Sequence, residues 1–288
     1  MKSRLHAVGV RAGITTLCLA LVAGLCGTSQ YAQGGNFTLI DDNSSASIDT
    51  ASQSGMYDWF VDGTDQMFQQ WFWYRIGGTP EASVDTLPIA AEGTSDVNFN
   101  GDPDALFVRY AGAGFEIELR YLLDGGNAGS GASDMSEQIV IRNNSDGPLD
   151  FHFFQYSDFD LNNSPGGDTG VFTNLNTVFQ QEGNIVAAET VVTPVASHRE
   201  IADYPSLLGA LNDGAATTLS DTPAIGVTVG PSDITWAYQW DVVIPVGGAF
   251  QISKDKHIYA IPEPSTMIMA GLAGLGLLMA RLRRGRRA

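Results

Sequence analysis

The sequence predicts an all-β protein, an antiparallel β-sandwich or barrel-like domain flanked by an N-terminal signal helix and a single C-terminal transmembrane helix. Three observations carry this prediction. β-Branched and aromatic residues recur at period two in segments between residues 115 and 244; Gly-Asn, Gly-Gly, Asn-Asn-Ser and Asp-Gly clusters break those segments at short spacing; uncharged apolar runs lie at the two ends of the chain. The 288 residues thus divide into a signal peptide over 1–32, an acidic β-rich extracytoplasmic domain over 33–260 and a tail over 261–288.

At the N-terminus, Lys2, Arg4 and Arg11 precede an apolar stretch over residues 14–26, the charged and hydrophobic regions of a secretory signal peptide. Cleavage is expected between Gly27 and Gly34, with Ala32 as the preferred last residue. Both cysteines, Cys18 and Cys26, lie in this segment. The processed chain therefore has no thiol, which excludes disulfides, thiolate metal sites and cysteine nucleophiles.

Charge excludes a further class. Of 15 basic residues, three lie in the signal peptide and five in the terminal cluster, leaving seven between 33 and 260 against 31 of the 32 acids, a formal charge of 7 − 31 = −24. Such a surface repels nucleic acid and anionic lipid and favours solubility or divalent cations.

Within this region, residues 115–123, 138–142, 149–159, 171–179, 185–192 and 234–244 read as antiparallel strands. Their short connections fit a sandwich or barrel and not strand-helix-strand units. One helix is expected, over 205–211, stopped by Asn212-Asp213-Gly214.

Several constellations bear on chemistry. Asp96, Asn98, Asn100, Asp102 and Asp104 place oxygen side chains at every second residue around Gly101, the pattern of the first half of a calcium loop. Position 107, where the bidentate Glu of such a loop would stand, is Phe, and an Asx-rich turn is the rival reading. A second oxygen-rich loop, Asp158, Asp160, Asn162 and Asn163, carries the same ambiguity. No cofactor is required; calcium is the ion these loops suit. Trp236, Tyr238 and Trp240 alternate, so they share one strand face and offer either a platform for carbohydrate or a core filling. The run of residues 71–74, Trp-Phe-Trp-Tyr, shows aromatics to both faces.

The case for catalysis is thin. His152, His198 and His257 have no zinc-like spacing, and no nucleophile elbow is present. Glu116 with Glu118, or Asp158 with Asp160, could serve a glycosidase, although chance pairs are expected among so many acids. Asn-x-Ser/Thr sites at Asn36, Asn43, Asn143 and Asn162 mark exposed turns.

The tail is the most specific signal. Pro262, Glu263, Pro264 and Ser265 form an extended polar box, because neither proline sits inside a helix and each holds its neighbour extended. An apolar run over 267–280 follows, marginal for crossing a bilayer that wants about 20 residues. Arg281, Arg283, Arg284, Arg286 and Arg287 then hold the end in the cytoplasm by the positive-inside rule. This tripartite tail resembles the PEP-CTERM sorting signal of exported bacterial proteins. The resemblance implies an exosortase-like membrane protease as partner, a membrane-tethered intermediate held by the C-terminal helix, and delivery to the cell envelope, cell surface or an exopolysaccharide matrix. The expected role is structural or adhesive, with a carbohydrate-binding module as the alternative and a secreted glycan-active enzyme third.

Overall fold

The computed structural model describes residues 34–262 and the single position Leu272. The signal peptide, Glu263, Pro264, Ser265, the expected transmembrane run and the five terminal arginines lie outside the described residues. Among those described, no helix is long and apolar enough to cross a membrane.

Eighteen strands follow one another. They are β1 (Asn36–Asp41), β2 (Ser44–Asp49), β3 (Gly55–Val61), β4 (Thr64–Asp65), β5 (Gln69–Ile76), β6 (Ala82–Ser83), β7 (Ile89–Ser95), β8 (Ala105–Gly112), β9 (Phe115–Gly125), β10 (Ser133–Asn143), β11 (Leu149–Asp158), β12 (Asp168–Phe172), β13 (Thr177–Glu182), β14 (Ile185–Thr193), β15 (His198–Asp203), β16 (Thr228–Ser232), β17 (Ile234–Ile244) and β18 (Ala249–Ala260). One short helix, α1 (Ser206–Leu211), lies where the sequence predicts it.

The strands build two nine-stranded sheets. The first runs β1-β2-β3-β5-β11-β17-β15, with β4 on β3 and β6 on β5; the second runs β16-β12-β13-β14-β18-β10-β9-β8-β7. Pairing is antiparallel except for a two-residue parallel contact of β3 with β5. The architecture is an antiparallel two-sheet sandwich, and one apolar core draws on both sheets.

Strict alternation shows which strands have a wet face. β2 and β8 bury every second residue, as period-two side chains must when one side meets a core. β17 is buried without break from Ile234 to Trp240, because its outer face is also covered, in part by α1. In β11, Gln155 reaches Glu189 of the second sheet while Phe154 and Tyr156 point to the opposite side.

One predicted strand is corrected. Residues 171–179 are not continuous but the end of β12, a turn and the start of β13. The Asn174 side chain accepts the Asn176 N–H at 2.7 Å, and Thr173 N–H closes on Thr177 O at 3.0 Å. An Asx turn overrides the apolar pattern.

Candidate acidic and aromatic cleft

β11, in the interior of the first sheet, ends where its neighbours β5 and β17 begin. Asp158 is the last residue of β11, opposite Gln69 and Thr235 in register. It lies two residues beyond Tyr156 on the same face, so the Tyr156 hydroxyl donates to its Oδ2 at 2.8 Å. Asp160 follows at the entrance to a 3₁₀ turn, and Asp233 precedes β17. One carboxylate oxygen from each of the three lies within 4.8 Å of the others. Backbone bonds fix the positions: Phe68 N–H to Asp158 O at 3.0 Å, and Tyr204 N–H to Asp233 O at 2.9 Å.

Electrostatics follow from this crowding. Burial, reinforced by the charges of Asp233, Asp160 and Asp168, pushes Asp158 up to about 8 despite the Tyr156 hydrogen bond. Asp160 is raised to about 6, first by burial and then by Asp233, Asp65 and Glu182. Asp168, fully buried, is raised to about 7 by burial and then by Glu182, Asp160 and Asp233. The Gln180 amide is its neighbour, yet neither carboxylate oxygen takes a hydrogen bond of good geometry. Asp233 is raised by burial and by Asp203.

Two aromatic rings stand over these acids. Phe68 is 49% exposed and Tyr204 41%, meeting edge to face at 6.1 Å, and with Asp158, Asp160, Asp233 and Pro165 they line a small cavity of about 120 Å³. A larger cavity of about 530 Å³ adjoins it through Phe68 and Asp160, lined also by Tyr57, Gln53, Gln69 and Asn163. Rings, amides and carboxylates thus line two neighbouring cavities that share Phe68 and Asp160. The larger has the size of a site for a small polar ligand.

Of the two readings of Trp236, Tyr238 and Trp240, the carbohydrate platform is corrected in favour of the core filling. The three are at most 1% exposed and face the second sheet. Trp236 stacks on Phe159 at 5.2 Å and donates its indole N–H to Glu189 at 2.9 Å. A sugar cannot reach them. Trp71, Phe72 and Trp73 are equally buried, because both faces of β5 are covered.

The loop over 96–104 directs its oxygens largely at its own backbone. Asp104, 2% exposed, accepts the Val97 and Asn98 N–H groups at 2.8 and 3.1 Å, and Asp96 accepts those of Asn100 and Gly101 at 3.2 and 2.9 Å. Asn100 accepts the Asp102 N–H at 2.9 Å, while the amides of Asn98 and Asn100 donate to Asp41. Of the carboxylate pairs, Glu118 is engaged by Arg120 at 2.8 Å. Asp158 and Asp160 alone join a larger acidic group among the described residues.

Sequence spacing conceals one further assembly. His152 and His198, on β11 and β15, both meet Asp241 of β17, and His198 also bonds Asp221 at 2.8 Å. Burial alone would raise Asp241, yet hydrogen bonds from Gln239 and His152 hold it below the usual carboxylate range. Both imidazoles are thereby oriented by carboxylates.

After β18, Ile261 N–H donates to Asn184 O at 2.7 Å, and Pro262 is exposed beyond that last tie. Residues 260–284 match the family model of the PEP-CTERM protein-sorting motif. The chain carries a PEP-CTERM sorting motif. It is accordingly an exported protein directed to the envelope as an exosortase substrate. No curated protein sequence matches the chain.

The sandwich is similar to solved structures of proteins described as a glucoamylase and aldose epimerases. A bacterial glucoamylase complexed with acarbose matches with a TM-score of 0.54 at 10% identity, over 85% of this chain and 36% of that one. A galactose 1-epimerase from Lactobacillus acidophilus NCFM matches with a TM-score of 0.51 at 8% identity, over 79% and 95%. A protein described as a candidate aldose 1-epimerase from Escherichia coli K12 matches with a TM-score of 0.50 at 9% identity, over 80% and 100%. The chain spans about a third of the glucoamylase and nearly all of the two epimerase-type chains. At these identities the likeness concerns the fold alone.

Proposed function

We propose that this exported protein binds carbohydrate in the cell envelope or extracellular matrix, at the cleft lined by Phe68 and Tyr204. The observation that carries the reading is the pair of exposed rings over a carboxylate cluster, in a molecule that buries all five of its tryptophans. Flat rings stack on sugar faces, while carboxylates and amides such as Gln53, Gln69 and Asn163 accept and donate to hydroxyls. The occurrence of the same sandwich in a glucoamylase and a galactose 1-epimerase supports a sugar ligand. An adhesive role follows if that ligand is a matrix polysaccharide. In this reading the chain is tethered by its apolar tail until an exosortase-like protease acts at Pro262, Glu263, Pro264 and Ser265.

Glycan binding to the exported protein, and to its Phe68→Ala and Tyr204→Ala variants, tests the reading by titration calorimetry. Loss of binding in both variants with unchanged thermal stability supports it; undiminished binding removes the cleft from consideration.

A specific observation favours a glycan-active enzyme as the second reading. Asp158 keeps its proton to about pH 8, whereas Asp160 ionises near 6, and their oxygens lie within 4.8 Å. Two carboxyls with separated affinities are the requirement for paired acid and base work. Turnover that Asp160→Asn abolishes without loss of binding would favour the enzyme.

A further inference from the structure

We propose that Asp158, Asp160 and Asp233 form a divalent-cation site that takes calcium.

Geometry is the first argument. Two oxygens bound to one calcium at about 2.3–2.6 Å lie no more than about 5 Å apart. One oxygen from each of the three aspartates satisfies that bound, all lying within 4.8 Å of one another. The three arrive from the end of β11, the loop after it and the residue before β17, so the backbone holds them together without local sequence spacing.

The second argument is an unmet need at the same place. Asp158 is 1% exposed, and its Oδ1 accepts no hydrogen bond. A buried carboxylate oxygen left bare costs free energy unless something positive meets it. Several buried carboxylates do have partners: Lys254 and Lys256 pair with Glu137 and Glu189, and Asp41 accepts two amides and the Gly125 N–H, whereas Asp168 beside the cluster also has neither oxygen bonded. Among the described residues, no Lys, Arg or His pairs with Asp158, Asp160, Asp233 or the neighbouring Asp168. A bound divalent cation would supply the counter-charge that these side chains lack.

Ligand chemistry selects the ion. Oxygen donors without sulfur or imidazole suit hard cations and not zinc or copper. Asp160 and Asp233 are half-buried at the cleft edge, which leaves coordination positions to water in the irregular shell that calcium accepts and magnesium resists. Export also fits, since extracellular modules bind calcium at about 10⁻⁴–10⁻³ M. The site stands whether or not a carbohydrate occupies the cleft.

The test uses chelator-treated exported protein, titrated with calcium chloride by calorimetry and followed by thermal unfolding. One saturable site and a raised melting temperature are expected. Asp160→Asn and Asp233→Asn, at half-buried positions that tolerate the change, should each weaken affinity about tenfold or more, because affinity follows ligand charge; Asp158→Asn should abolish the saturable phase. Asp96→Asn should leave it intact. Non-saturating uptake, or affinity undisturbed in both Asp160→Asn and Asp233→Asn, would overturn the site, as would loss in Asp96→Asn alone. Glycan binding measured on the same samples in chelator separates failure of this site from failure of the carbohydrate reading.

Discussion

Lys254 of β18 and Glu189 of β14 lie 3.3 Å apart with both side chains wholly buried. Glu137 and Lys256 complete the charges on the second sheet, while Gln155 and Trp236 of the first donate to Glu189 at 2.7 and 2.9 Å. The network spans both sheets and fixes their mutual position. Removing one partner leaves a charge without compensation, so Lys254→Met should destabilise the protein by about 3–5 kcal/mol. Urea denaturation measures this, and a change below about 1 kcal/mol would mean that Lys256 serves both acids.

Stability should depend on pH through Asp168. Its folded pKa, raised to about 7 chiefly by burial, exceeds its ordinary value of 3.8, so the folded state keeps a proton that the unfolded state has lost. The contribution is full below the unfolded value and vanishes as pH rises through the folded one. In chelator, the melting temperature should therefore fall between about pH 4 and pH 7, and Asp168→Asn should lessen that slope, with the raised Asp158 and Asp160 supplying the remainder. A wild-type curve flat over the window would contradict the burial argument.

Aromatic truncations should sort by exposure. Trp236→Ala removes a ring stacked in the core and should cost about 3–5 kcal/mol. Phe68→Ala, at a half-exposed position, should change stability by less than about 0.5 kcal/mol. Thermal and urea unfolding of both variants check the contrast.

The pattern of legibility follows from what periodicity encodes. Period-two β-branched and aromatic residues located β9, β10, β11, β14 and β17, because side chains of a strand alternate between its two faces. That pattern could not tell that both faces of β17 are covered over residues 234–240, and so Trp236, Tyr238 and Trp240 read as platform or core. The 171–179 segment failed because the Asn174 side chain competes with the ladder. In the cleft, the oxygen-rich pair Asp158 and Asp160 was visible as local spacing. Asp233, Phe68 and Tyr204 were not, since their approach depends on the pairing of β11 with β5 and β17 and leaves no short-range trace.

Sorting makes a prediction of its own. The wild-type mature protein should lack residues 267–288, and replacing Pro262, Glu263 and Pro264 with alanine should leave the chain in the inner membrane. Intact mass of the surface or medium fraction decides it. Retention through Ala288 in the wild type would exclude processing at the tail.

The most direct measurement is calorimetric titration of the exported protein, and of its Phe68→Ala and Tyr204→Ala variants, with polysaccharide isolated from the surface of its native host. Saturable binding by the wild type, lost in both variants while their melting temperatures hold, is the predicted result. Binding that survives both truncations, or no binding by the wild type with calcium present or absent, would contradict a carbohydrate site at this cleft.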